Sequence, residues 1–230
     1  LNRVWITRAQ PGANATAQRI TALGFEPVVA PALVVKELPA VVDLAGVGAL
    51  AFTSVNAVRA FARRSPVRDL PVFVVGMATA VAAKEAGFGQ IESADGNVHS
   101  LARLIAGRAT EQAGILLHPG AAEAAGDLVG DLKQVGIPAR AVALYDTVPA
   151  DVPASVLEAL ASIGVVLVHS PKAARRLATI LAGQTVAHMT ALGLSPEVCA
   201  PLAEAGLAQT IAAPLPTEDA LLSLLVRTTP

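Results

Sequence analysis

The chain has 230 residues, 53% of them hydrophobic, and its 17 basic and 18 acidic side chains leave a formal net charge of −1. That length suits one large domain or two of about 100 to 120 residues. No unbroken apolar run approaches the roughly 18 residues of a membrane helix, and with aromatics at 3% and no long basic run the composition advertises no nucleic-acid surface.

A single cysteine, Cys199, excludes an internal disulfide and fits a reducing cytoplasm. Four scattered histidines and that cysteine lack zinc-ligand spacing, so neither a metal nor a cofactor is expected. A strand-like VWIT opens the chain without a basic stretch or an apolar h-region, so no secretion signal is expected.

In chain order, Val4 to Ile6 reads as a strand ending in Thr7 and Arg8, followed by a helix whose C-terminal cap is Gly24. VKELPAV, from Val35 to Val41, suits an extended linker because Pro39 disfavours helix. Ala49 to Phe52 is the next strand, with Thr53 and Ser54 opening a helix. Val72 to Val75 leads through Gly76 to Thr79 and a helix capped by Gly87. Ile115 to Leu117 ends at His118 and precedes a helix capped by Gly136. VALYDTV holds the only tyrosine, Tyr145, and a second linker, TVPADVP, follows from Thr147 to Pro153. Val165 to Val168 then ends in His169 and Ser170. Thr190 to Leu194 leads to Ser195-Pro196-Glu197, a capping hydroxyl, first-turn proline and acid in the order a helix start favours.

These parts repeat. LAFTSVNAVR at Leu50 matches LVHSPKAAR at Leu167, setting Ser54 opposite Ser170, and VWITR at Val4 matches ILLHP at Ile115. Ala86-Gly87 recurs as Ala205-Gly206, and the segment from Asp95 recurs from Leu215. With the units lettered, the order is a, b-c-d-a, b-c-d. The strands lack polar alternation, as strands buried on both faces do, and each leads into a helix, which implies parallel sheets covered by helices in doubly wound α/β lobes. A first, discontinuous lobe is expected from residues 1–35 and 150–230 and a second from 40–146, with linkers near 35–41 and 147–153.

In open α/β sheets a ligand sits beyond the carboxyl ends of the strands. Arg8, Thr53, Ser54, Gly76, Thr79, Ser170 and Ser195 fall there. Helix starts with small residues leave N–H groups free for anions such as carboxylates. Each hydroxyl also has a plain reading as a helix cap, and Arg8 as a solvated charge; their clustering at corresponding places in both halves favours function. His118 and His169 read as structural, and Cys199 as a small buried hydrophobe. Tyr145 is either an anchoring aromatic or a phenol that donates a proton. Gly46-Val47-Gly48 precedes a strand instead of following one, which excludes a dinucleotide loop. Ser170 has no nucleophile elbow around it, there is no P-loop, and Thr7-Arg8 stands where a phosphoacceptor receiver would show acids.

Thr7-Arg8, the block Phe52-Thr53-Ser54-Val55-Asn56-Ala57-Val58, Val75-Gly76 with Thr79, the Tyr145 segment, Ser170-Pro171 and Pro216-Thr217-Glu218 together resemble the uroporphyrinogen-III synthase family along nearly the whole chain. The resemblance implies two flavodoxin-like lobes joined by a two-stranded linker. It implies a cofactor-free cyclisation of hydroxymethylbilane, a substrate with eight carboxylates, with inversion of its last pyrrole ring. Tyr145 would then assist departure of the terminal hydroxyl, and Thr53, Ser54, Gly76, Thr79, Ser170, Ser195 and Arg8 would bind substrate. A cytoplasmic monomer is expected, with a small molecule as its only partner. The chain departs from the family pattern where Val198 falls opposite Thr79, losing a second-lobe hydroxyl. A non-catalytic binding module for an anionic metabolite and a degenerate homologue are the rival readings.

Overall fold

Val4 and Ile6 face one side of their strand and Trp5 the other, and all three are fully buried, the signature of a strand covered on both faces. The same holds for Leu50, Ala51 and Phe52, and for Val165 to Val168. These runs are the central strands of two sheets in a computed structural model that describes residues 2–108, 114–124 and 126–228.

The chain opens with β1 (Arg3–Ile6), α1 (Gly12–Ala22), β2 (Glu26–Val29) and β3 (Leu33–Glu37). There follow β4 (Val47–Phe52), α2 (Val55–Arg64), β5 (Val72–Val74), α3 (Met77–Glu85), β6 (Ile91–Ser93) and α4 (Val98–Gly107). Next come β7 (Ile115–Ala121), α5 (Leu128–Gln134), β8 (Ala139–Pro149), α6 (Ala154–Glu158) and β9 (Ile163–Val168). The last are α7 (Pro171–Leu181), β10 (Thr190–Gly193), α8 (Pro196–Cys199), β11 (Gln209–Ala212) and α9 (Glu218–Thr228).

The chain divides into two compact units, Leu1–Val35 with Val148–Pro230, and Lys36–Thr147. In the first, the strands lie in the order β11-β10-β9-β1-β2, every neighbouring pair parallel. Numbered by appearance within that unit, this is the flavodoxin-like order 2-1-3-4-5. Trp5, Val166, Val168, Leu177, Leu181 and Met189 pack on one face, and Val4, Ile6, Ile20, Leu167, Leu221 and Leu225 on the other.

In the second unit the strands lie in the order β8-β7-β4-β5-β6, every neighbouring pair parallel. Its strands enter the chain in a different sequence, yet counting from β7 and β8 and continuing with β4, β5 and β6 restores the same flavodoxin-like order. The interleaved repeat in the sequence is thus a cyclic permutation of one sheet. Ala49, Ala51, Phe73, Leu101, Ile105, Leu116 and Leu132 form one core layer; on the other face the rings of Phe52, Phe61 and Phe88 meet with centroids 5.7 to 6.1 Å apart.

Local signals agree with these elements. The side chains of Ser54, Asn97, Ser170 and Ser195 accept the Ala57, Ser100, Ala173 and Val198 N–H groups at the starts of α2, α4, α7 and α8. Gly24, Gly87, Gly136 and Gly206 have φ of 86°, 95°, 78° and 71°, the left-handed conformation that ends a helix without a Cβ clash. The helix expected after Ser195 is reduced to four residues and a 3-10 turn over Ala200–Leu202; Pro201, without an N–H, cannot continue an α-helix.

Candidate active site

In each sheet the strand order reverses once, and a ligand of such a fold binds at that reversal, beyond the carboxyl ends of the strands. In the second unit the reversal lies between β4 and β7. β4 ends in the buried Phe52, after which Thr53 and Ser54 leave the sheet and Ser54, extended at φ −157° and ψ 154°, caps α2. Its Oγ accepts the Ala57 N–H at 3.0 Å and lies 2.7 Å from the phenol oxygen of Tyr145.

Tyr145 comes from β8, the far neighbour of β7. The β7–β8 register shifts between Gly120 and Ala121, so that Ala143 pairs with Gly120 and Tyr145 with Ala121. Leu144 and Tyr145, adjacent on this strand, are both buried. Burial raises the Tyr145 pKa above its usual 10.0, and the Ser54 bond only partly opposes this. The phenol therefore keeps its proton at neutral pH, available as a donor.

Beside this pair, Thr53 Oγ1 stands 3.2 Å from Nε2 of His118 on β7. His118 is 4% exposed, and burial lowers its pKa below 6.5, so the imidazole is neutral at neutral pH. Along the next strand, Gly76 caps α3 without a side chain, and a Cβ there would meet nothing within 4 Å. The Met77 and Ala78 N–H groups have no intrahelical acceptor, as at any helix start. Thr79, 4% exposed, lies in that first turn.

In the first unit Ser170 caps α7 through Ala173 at 3.2 Å, and Ser195 caps α8 through Val198 at 3.4 Å. Val198 is buried and offers no hydroxyl. Arg8 is engaged: its Nη1 donates to Glu218 Oε2 at 2.9 Å and to Thr16 Oγ1 at 3.2 Å. Thr16 donates to the other Glu218 oxygen at 2.5 Å, and His169 Nε2 lies 3.0 Å from Oε2. Burial alone would raise the Glu218 pKa, but the bond from His169 and that ring's charge when protonated, with the Thr16 bond and the Arg8 charge, outweigh it and hold the carboxyl at about 2. Burial lowers the His169 pKa, so the pair is a carboxylate receiving a neutral imidazole N–H.

The sequence marks Thr53, Ser54 and Tyr145 separately and does not join Thr53 to His118 or Arg8 to Glu218. Those partners are 65 and 210 residues apart. The one signal available was the match of ILLHP to VWITR, which sets His118 opposite Thr7 at a strand end.

Two flavodoxin-like parallel sheets, with hydroxyl-bearing helix starts at the carboxyl ends of their strands, define a two-unit α/β protein. The sequence profile of uroporphyrinogen-III synthase HemD matches residues 14–223, and the chain belongs to that family. A uroporphyrinogen-III synthetase from Helicobacter pylori has a similar fold, with a TM-score of 0.71, 16% identity and 100% of both chains covered. A mutant uroporphyrinogen III synthase from Thermus thermophilus gives a TM-score of 0.56 at 18% identity, covering 99% of this chain and 98% of that one. No curated protein matches the chain in sequence.

Proposed function

We propose that this chain is an active uroporphyrinogen-III synthase, a cofactor-free hydro-lyase that closes hydroxymethylbilane to uroporphyrinogen III and water. The observation carrying this reading is the 2.7 Å contact of Tyr145 with Ser54 at the sheet reversal of the second unit. A buried, protonated phenol beside an uncharged hydroxyl is suited to protonate a departing hydroxyl group, which leaves as water. The cation left on the substrate is attacked by the substituted carbon of the last pyrrole ring. The spiro intermediate then opens and recloses with that ring inverted. The proton released when the ring regains aromaticity restores the phenol.

The substrate closes unaided to the wrong isomer, so control of geometry is the protein's main task. Holding the reacting carbons in orientation is worth several kcal/mol. Carboxylates would be held by Thr53 and Thr79, by the free N–H groups after Gly76, and by the helix starts at Ser170 and Ser195, while Ser54 gives its one proton to the Tyr145 oxygen and so leaves the phenol proton free for the departing hydroxyl. Arg8 contributes through its link to Glu218. Membership of the family supports a small-molecule substrate, and no helix among the described residues is long and apolar enough to cross a membrane.

The test is a coupled assay in which hydroxymethylbilane is generated in situ with this protein present, and the oxidised products are separated into type I and type III isomers. Type III product is expected. Type I alone, from folded protein and fresh substrate, rejects the reading in favour of a binding module or a degenerate homologue.

A further inference from the structure

The second unit presents two adjacent hydroxyls at the end of β4, and each is held by a different strand: Thr53 by His118 of β7, the next strand, and Ser54 by Tyr145 of β8, one strand further. The mechanism above uses the Ser54 contact and leaves the Thr53 contact unexplained. We propose that His118 is a positioning residue, whose Nε2–H donates to Thr53 Oγ1 and so turns the Thr53 proton outward, towards a carboxylate of the substrate. This rests on the proposed synthase reading.

A threonine hydroxyl has one proton to give, and a neutral imidazole carries one N–H. Were Thr53 to donate to His118, its proton would be consumed within the protein and only lone pairs would face an anion. Donation by Nε2–H reverses this and leaves Thr53 a donor. Burial of the ring, at 4% exposure, keeps it uncharged and in place, and Gly120 on the same strand leaves room for it: a Cβ built there would stand only 3.4 Å from Nε2. Ser54 differs, because its oxygen already accepts the Ala57 N–H as a helix cap, so of the two hydroxyls Thr53 is the one whose direction His118 decides.

A double-mutant cycle tests this in the isomer assay, with the wild-type protein run alongside. His118→Phe keeps an aromatic ring and removes the donor; it should raise KM by roughly two- to tenfold, the worth of one net hydrogen bond, with a smaller change in kcat. Thr53→Val should do the same, and the double variant should fall no further than Thr53→Val alone. Additive losses, or an unchanged KM in His118→Phe, overturn the proposal. His118→Gln, which retains an N–H donor, should recover part of the loss.

A second readout needs no variant. Imidazole nitrogen shifts of the wild-type protein at pH 7 should show a neutral ring protonated at Nε2; protonation at Nδ1 alone, making Nε2 the acceptor, overturns the proposal even if the variants fail to fold. Wild-type protein that forms no type III isomer defeats the synthase reading separately, and the nitrogen shifts still decide the His118 to Thr53 bond.

Discussion

Tyr145 carries its hydroxyl on a ring that is 6% exposed, so deleting the oxygen alone leaves the packing in place. Tyr145→Phe should therefore lower turnover by on the order of 10²-fold or more, the usual worth of a positioned acid. Its stability should change by only about 0.5 to 1.5 kcal/mol, the net value of the Ser54 hydrogen bond. Isomer yield and denaturant unfolding measure the two effects side by side, and an unchanged isomer yield would remove the acid role. Thr79→Val keeps the shape of a buried side chain in the first turn of α3 and deletes its hydroxyl. A carboxylate partner would be lost at a cost of about 1.5 to 3 kcal/mol, read as a raised KM; unaltered kinetics would reduce Thr79 to packing.

At the scale of elements, three serines open helices with the same extended backbone and unequal consequences. Ser54→Ala and Ser170→Ala should each destabilise by about 0.5 to 2 kcal/mol, because α2 and α7 are long helices that lose a cap. Ser195→Ala should cost least, its bond being 3.4 Å long at the start of a four-residue helix. Thermal unfolding of the three variants would rank them. The same elements show what could be read from sequence. Central strands were legible because burial on both faces leaves continuous apolar runs, and helix limits were legible because caps are local chemistry. The short edge strands β2, β6 and β11 were not, since their residues are exposed or only half buried and carry no such pattern. Within the site, hydroxyls at strand ends could be named from order along the chain. Their partners could not: Tyr145 is 91 residues from Ser54, and only the sheet order brings β8 within reach of α2.

For the molecule as a whole, the cluster of Arg8, Thr16, His169 and Glu218 joins the first 35 residues to the last 83 within one unit. Its pH dependence has a definite sign. Glu218, lowered from 4.5 to about 2, contributes its full stabilisation above pH 4.5 and loses it as the pH falls towards 2. His118 and His169, both lowered from 6.5, favour the folded state above pH 6.5 and progressively less below it. Acidification should thus weaken the fold in two stages, and Glu218→Gln should lower stability at neutral pH while flattening the second stage. Denaturant titrations at a series of pH values would show an unchanged slope below pH 4.5 if the carboxylate is not the cause.

The permuted sheets also set an order in time. β1 lies in the middle of its sheet, flanked by β2 and β9, and β9 begins only at Ile163. During synthesis the segment from Lys36 to Thr147 leaves the ribosome as one uninterrupted stretch, able to collapse as a unit. The opening strand must meanwhile hold one edge unpaired until more than 150 further residues have emerged. The second unit can therefore fold before the first is complete, because β1 gains its second neighbour only once β9 has been made.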